Sequence, residues 1–262
     1  MPESAGLFAP SFALSSQYSA LNTLLSILRS QFLEGTMSEL IRQDAVFLLQ
    51  FDSEENRFSG SLLEQIDRTL SAVEELALGA HPEPVALVTT GTGKFFSNGL
   101  DLDWLMANKD KAASNVAQVH SVFARMLRLP CVSVAAINGH AFAGGAMLAL
   151  SHDFRIMRAD RGYFCLPEVD LGLPFTDGMR ELITSRLSKQ VAHESMVTGR
   201  RYSGEQAAAA AIVDQALPES EVLTAALALA NSLAAKAGPT IAKIRSDMYS
   251  VALEALDQDA AS

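Results

Sequence analysis

Short runs of consecutive apolar residues alternate along the chain with longer stretches in which apolar side chains recur every three or four positions. Residues 45–51 form the first apolar run, closed by the turn-forming pair Asp52 and Ser53, and predict a strand. Leu62, Leu63, Ile66, Leu70, Val73 and Leu76 then trace the apolar face of an amphipathic helix. Residues 85–90 are continuously apolar or β-branched, as suits a strand covered on both faces. A second helical stretch carries Val116, Val119, Phe123, Met126 and Leu127; Pro130 breaks it, and residues 131–137 give a third strand. This βαβαβ order predicts an α/β fold with right-handed parallel crossovers, and taken alone it describes a doubly wound sheet. Residues 153–157 and 162–166 add a fourth and a fifth strand, while everything from Thr176 onward reads as helix, rich in Ala, Leu and Glu. No internal repeat is visible, and the alanine run at 207–211 predicts a tightly packed helix, because Ala has the best helix propensity and allows close approach.

Composition narrows the function. A chain of 262 residues, 49% of them hydrophobic, can build one large α/β domain or two small ones with a substantial core. Thirty acidic against twenty basic residues give a formal charge of −10, which argues against nucleic acid or an anionic membrane surface as the main partner. An anionic ligand would need local help. Cys131 and Cys165 both lie in apolar runs and read as buried small hydrophobes of a reducing compartment, not as a disulfide. No segment approaches the ~20 apolar residues needed to span a bilayer; residues 18–33 are interrupted by Asn22, Ser26, Arg29 and Ser30. The first ~16 residues lack the basic start and compact apolar run of a signal peptide. Residues 1–36 are therefore expected to form a flexible or helical extension, with Met37 opening the first segment of strand character. A soluble, cytoplasmic protein is expected.

Chemistry is expected where strands give way to helices, because backbone N–H groups are left unpaired there and the helix dipole favours negative charge. One such place is residues 93–102, directly after the strand at 85–90; its glycines permit close backbone approach, and Lys94 offers a cation for phosphate. The other is residues 138–147, after the strand at 131–137, where Gly144 and Gly145 should open a helix over 146–151. Two such termini would face one another. Asp101 and Asp103 have the character of caps for the following helix. His140 lies between the glycines without an acid or nucleophile spaced to partner it, and the other histidines show no metal-ligand spacing. A Gly-x-Ser-x-Gly elbow is missing, which removes the serine-hydrolase reading. Gly91-Thr92-Gly93 lacks the third glycine and the acidic partner of a dinucleotide fingerprint.

Three segments together resemble the crotonase (enoyl-CoA hydratase/isomerase) superfamily. Phe96-Ser97-Asn98-Gly99-Leu100-Asp101-Leu102 is similar to its first oxyanion segment, and Ile137-Asn138-Gly139-His140-Ala141-Phe142-Ala143-Gly144-Gly145 to its second. Leu166-Pro167-Glu168-Val169-Asp170-Leu171-Gly172 resembles its acid-bearing segment. Order and separation also fit, and the likeness covers about residues 38–256. The resemblance implies a spiral of repeated ββα units over 37–200, in place of the doubly wound sheet, followed by a C-terminal helical trimerisation region over 201–262. It implies an acyl-CoA thioester as ligand, no separate cofactor since coenzyme A is part of the substrate, no metal, and a homotrimer or hexamer.

The same resemblance assigns roles. The N–H groups of Leu100 and Gly144 would stabilise an enolate oxygen, each donor worth about 3 kcal/mol in analogous sites. Lys94, Ser97, Asn98, Gly99 and Asp101 would lie along the substrate and its coenzyme A moiety. Hydratases of the superfamily carry two glutamates; here the first of those positions is Met147 and the second is Glu168. One carboxylate can shuttle a proton between C2 and C4 of a 3-enoyl thioester, while Met147, by default a core residue, helps exclude water. Partial desolvation would raise the pKa of Glu168. Leu173-Pro174-Phe175-Thr176-Asp177-Gly178-Met179 is also closer to the Δ3,Δ2-enoyl-CoA isomerases than to the hydratases. The chain stops soon after Leu256, which implies the lack of the final charged helix that covers the acyl pocket in many members. Hydration, thioester hydrolysis and a silent CoA-binding role are the alternatives to isomerisation.

Overall fold

A computed structural model describes residues 41–261 of the protein. The extension expected over residues 1–36, and Met37, lie outside the described residues. The described residues begin with an antiparallel pair, β1 (Ile41–Gln43) and β2 (Val46–Phe51), joined through Asp44 in a left-handed conformation. Helix α1 (Gly60–Leu78) follows, capped by the Ser59 side chain accepting from the Leu62 N–H, and buries the face traced by Leu62, Leu63, Ile66, Leu70 and Val73. Then comes a repeated step. Strand β3 (Ala86–Gly91) is followed at once by β4 (Phe95–Ser97), then by helices α2 (Leu102–Ala107) and α3 (Lys109–Leu127). Strand β5 (Val132–Ile137) is followed by β6 (His140–Phe142) and α4 (Gly144–Ser151), and β7 (Phe154–Arg158) by β8 (Phe164–Cys165) and α5 (Glu168–Leu171).

The first strand of each step joins a large sheet ordered β1-β2-β3-β5-β7-β9, parallel throughout except at β1. The second joins a small parallel sheet, β4-β6-β8. This is a spiral of ββα units, each turn adding one strand to each sheet, and not the doubly wound sheet that the strand order suggests by itself. Of the strand expected over 162–166, only Phe164 and Cys165 pair, against the short end of β6.

Beyond β8 the chain continues through α6 (Asp177–Arg186), α7 (Lys189–Thr198) and α8 (Gly204–Ala209) to β9 (Gln215–Leu217), then α9 (Glu219–Leu233), α10 (Pro239–Met248) and α11 (Ser250–Ala261). The expectation of unbroken helix from Thr176 onward therefore fails at β9, which pairs with Ile156, Met157 and Arg158 of β7. Three residues are too few to display an alternation, and the Ala-rich flanks mask them. The alanine run ends its helix early for the same reason. Ala211 takes a left-handed φ of 54°, which turns Ile212 and Val213 into the core and lets Arg155 bind the Ile212 carbonyl at 2.7 Å.

The large sheet divides two cores by the parity of its residues. Phe47, Leu49, Leu87, Ala135 and Ile137 face the cluster built with α1, α3, α4, α6 and α11. Val46, Leu48, Ala86, Val88, Val132 and Val134 face the other cluster, completed by Val222, Ala226 and Ala230 of α9. Burial on both faces accounts for the continuous apolar runs of these strands. Buried Arg245 of α10 donates to the carbonyls of Met126, Leu129 and Cys131 at 2.7–2.8 Å and pairs with Asp153 at 3.4 Å. Arg186 of α6 likewise donates to the carbonyls of Leu150, His152 and Asp153 and to the Tyr249 hydroxyl. Both cysteines are buried and free. Among the described residues no helix is long and apolar enough to cross a membrane.

Candidate active site

The two glycine-bearing segments meet where β4 and β6 end. Gly99, at φ +76°, lies so close to the start of α4 that a Cβ there would stand 2.6 Å from the Gly144 nitrogen. A Cβ on Gly145 would be 2.2 Å from the Ser97 carbonyl oxygen. Side chains at either position would force the segments apart, so glycine is required by approach and, at Gly99, by backbone conformation. Gly144 is the first residue of α4, where an N–H has no intrahelical acceptor. Neither its N–H nor that of Leu100 has an acceptor among the described residues. Ala143, just before it, holds φ 49° and ψ −123°, a conformation costly for a residue with a Cβ. Its N–H donates to the Cys165 carbonyl at 3.1 Å and its own carbonyl accepts the Met147 N–H at 3.1 Å, which fixes the direction of the peptide leading into Gly144.

The first segment is braced from behind by residues 53–58, which sequence reasoning did not single out. Asn56 is fully buried at φ 51°, and its side-chain nitrogen donates to the carbonyls of Phe95 and Phe96 at 2.9 and 3.2 Å. Its side-chain oxygen accepts from the Ser53 N–H at 2.9 Å. Asn98 N–H donates to the Glu55 carbonyl and Phe58 N–H to the Gly99 carbonyl, at 3.0 and 2.8 Å. Arg57 ties Glu55 (2.7 Å), Asp101 (2.9 Å) and Asp103 (3.2 Å) into one network. The only sequence signal for this brace is a lone Asn in a turn ahead of a helix.

Glu168 opens α5 directly after Pro167 and is 7% exposed. Burial pushes its pKa from 4.5 up to about 7, opposed in part by its own backbone N–H. Its Oε2 is buried without a hydrogen-bond partner among the described residues. A carboxyl group with a free oxygen and a pKa near neutrality can both take and return a proton at physiological pH.

A cavity of about 610 Å³ brings Leu100, Gly144, Glu168, Met147 and Asn98 together. Leu102, Leu105, Val116, Leu171, Leu173 and Met179 give it an apolar wall, and Arg57 and Arg201 line it as cations. Its carboxylates are Glu168 and Asp103, and the Asp103 side chain is 81% exposed and engaged by Arg57. Met147 is 1% exposed and belongs to the core as well as to the cavity wall.

Other residues singled out from sequence lie elsewhere. Ser97 is fully buried, donates to the Asn56 carbonyl at 2.7 Å and accepts the Gly99 N–H at 3.1 Å, so its hydroxyl holds the loop. Gly99 sits at the contact between the segments and is not a lining residue. Asp101 accepts from the Trp104 N–H as the cap of α2 and pairs with Arg57. Lys94 lies in a separate depression with Asp52, Ser53, Glu54 and Glu55, its ammonium 5.4 Å from the centre of the Phe95 ring. His140 packs among Phe95, Phe142 and Tyr163, and burial, with Lys94, Arg161 and Arg201 nearby, lowers its pKa. Among the described residues no cluster of three or more His, Cys, Asp or Glu could hold a metal ion.

The ββα spiral, with N–H groups of Leu100 and Gly144 that have no acceptor among the described residues and the buried Glu168 on one cavity, is the architecture of the crotonase class. The sequence model for enoyl-CoA hydratase/isomerase matches residues 42–261, and the chain belongs to that family. It is 39% identical over 223 residues to enoyl-CoA delta isomerase 3 of Arabidopsis thaliana, across 81% of this chain and 92% of the relative. It is 38% identical over 225 residues to the peroxisomal enoyl-CoA delta isomerase 2 of the same plant, with the same coverage of 81% and 92%. Among solved structures, an enoyl-CoA isomerase of Mycobacterium tuberculosis superposes with a TM-score of 0.76 over 85% of this chain and 95% of that one; at 23% identity this likeness concerns the fold. An enoyl-CoA hydratase/isomerase family protein from Pseudomonas syringae gives 0.75 at 28% identity, over 85% and 96%.

Proposed function

We propose that this protein is a Δ3,Δ2-enoyl-CoA isomerase in which Glu168 carries one proton from C2 to C4 of a 3-enoyl thioester. The observation that supports this most is the single desolvated carboxyl group: Glu168 has a free buried oxygen and a pKa raised to about 7, while Met147 occupies the cavity wall without any acid–base capacity. The thioester oxygen would sit between the N–H groups of Leu100 and Gly144, which stabilise the enolate as the C2 proton leaves. Glu168, then neutral, returns that proton at C4, and the double bond moves into conjugation with the carbonyl. No water enters the balance, which agrees with the apolar wall built by Leu102, Leu105, Val116, Leu171, Leu173 and Met179. The identity with enoyl-CoA delta isomerases supports the same reading.

The test is to supply a medium-chain 3-enoyl-CoA and follow the conjugated 2-enoyl thioester by ultraviolet absorbance, with crotonyl-CoA hydration run in parallel. Isomerisation without hydration, reduced at least about a thousandfold in Glu168→Gln, is the expected outcome. Full activity in that variant would sink the mechanism, and hydration by the wild type would require a second acid.

A further inference from the structure

The apolar wall of the cavity is held from behind by the helix that follows it last in the chain. Val116 of α3 and Met179 of α6 line the cavity, as does Thr176, the cap of α6. Helix α11 packs across both α3 and α6, burying Ala252, Leu253 and Leu256.

One carboxylate joins these elements. Asp259 Oδ2 accepts the Gly178 N–H at 2.7 Å and lies 4.0 Å from His120 Nε2. That same His120 nitrogen is 3.1 Å from Thr176 Oγ1, and Thr176 Oγ1 accepts the Met179 N–H at 3.3 Å. Gly178 stands in the first turn of α6, where an anion is favoured by the unpaired N–H groups and the helix dipole. The contact leaves no slack: a Cβ on Gly178 would meet Leu256 Cα at 2.8 Å and Asp259 Oδ2 at 2.9 Å.

We infer that Asp259 is a positioning residue of the acyl pocket, fixing the start of α6, and with it Thr176 and Met179, at the depth that sets how long an acyl chain the cavity takes. The inference rests on the cavity's taking acyl-CoA, as proposed above, and not on the isomerisation step. Leu100, Gly144 and Glu168 are on other elements, so a shift of α6 alters the wall without moving them.

Calorimetric titration of the full chain with butyryl-CoA and octanoyl-CoA reads this preference without turnover. Asp259→Ala is expected to weaken octanoyl-CoA about tenfold, the effect of one lost charge-assisted hydrogen bond, with butyryl-CoA changed by less than about twofold. Asp259→Asn, which keeps an oxygen acceptor for the Gly178 N–H, is expected to retain the wild-type preference. Gly178→Ala leaves the carboxylate but displaces α11, and is expected to reproduce the octanoyl-CoA loss; it supplies the answer if Asp259→Ala does not fold. Equal weakening of both ligands, or no weakening, overturns the inference. Wild-type binding of both thioesters without turnover of a 3-enoyl-CoA overturns the isomerase reading and leaves Asp259 in its role, whereas no binding by the wild type overturns both.

Discussion

Glu168 carries its carboxyl group in surroundings that favour the neutral form, and the sign of that effect is measurable. Its proton leaves at 4.5 in the unfolded chain and at about 7 in the folded one. As pH rises from 4.5 toward 7 the unfolded state sheds the proton first, so folding stability falls across this window and the penalty is complete above it. Glu168→Gln removes the penalty. The variant is expected to be inactive yet more stable than wild type at pH 8 by on the order of 3 kcal/mol in urea unfolding, with the difference vanishing below pH 4.5. Under the proposed mechanism the ionised carboxylate starts the reaction, so the kcat/KM of the wild type is expected to rise with pH through about 7. At this scale the candidate carboxyl group was legible in Pro167-Glu168, whereas its burial, its unpartnered oxygen and the strained Ala143 depend on neighbours distant in sequence.

The elements that carry the site are two short segments held apart by nothing larger than a hydrogen atom, and their brace can be removed selectively. Asn56→Ala strips the donors from the Phe95 and Phe96 carbonyls and is expected to cost about 2–3 kcal/mol in stability. It should lower kcat more than it raises KM, since the N–H of Leu100 loses its direction while the cavity keeps its walls; steady-state kinetics with a 3-enoyl-CoA separate the two. The glycine segments were readable because close approach demands glycine at Gly99 and Gly145. The brace was not, because its partners lie 39 and 40 residues away and local pattern shows only a turn. Strand β9 escaped for a related reason: its strand character comes from β7, not from its own three residues.

For the whole molecule, the C-terminal segments complete the α/β body. Arg245 joins α10 to the end of α3 and the approach to β5 through three carbonyls, and Arg245→Leu leaves Asp153 and those carbonyls without their partner. A loss of about 3 kcal/mol is expected, a fall in Tm on the order of 10 °C by calorimetry. Apolar runs announced the two-sided sheet, yet the spiral that shares its strands between two sheets became visible only through motif resemblance, because periodicity does not tell which sheet a three-residue strand joins. The link between Gly178 and Asp259 spans 81 residues. Contacts of that separation must await the closing of a long loop, after local helices and neighbouring strands have formed. The wall of the cavity is therefore among the last surfaces a folding chain completes, and a newly made molecule acquires its sheets before it can hold a ligand.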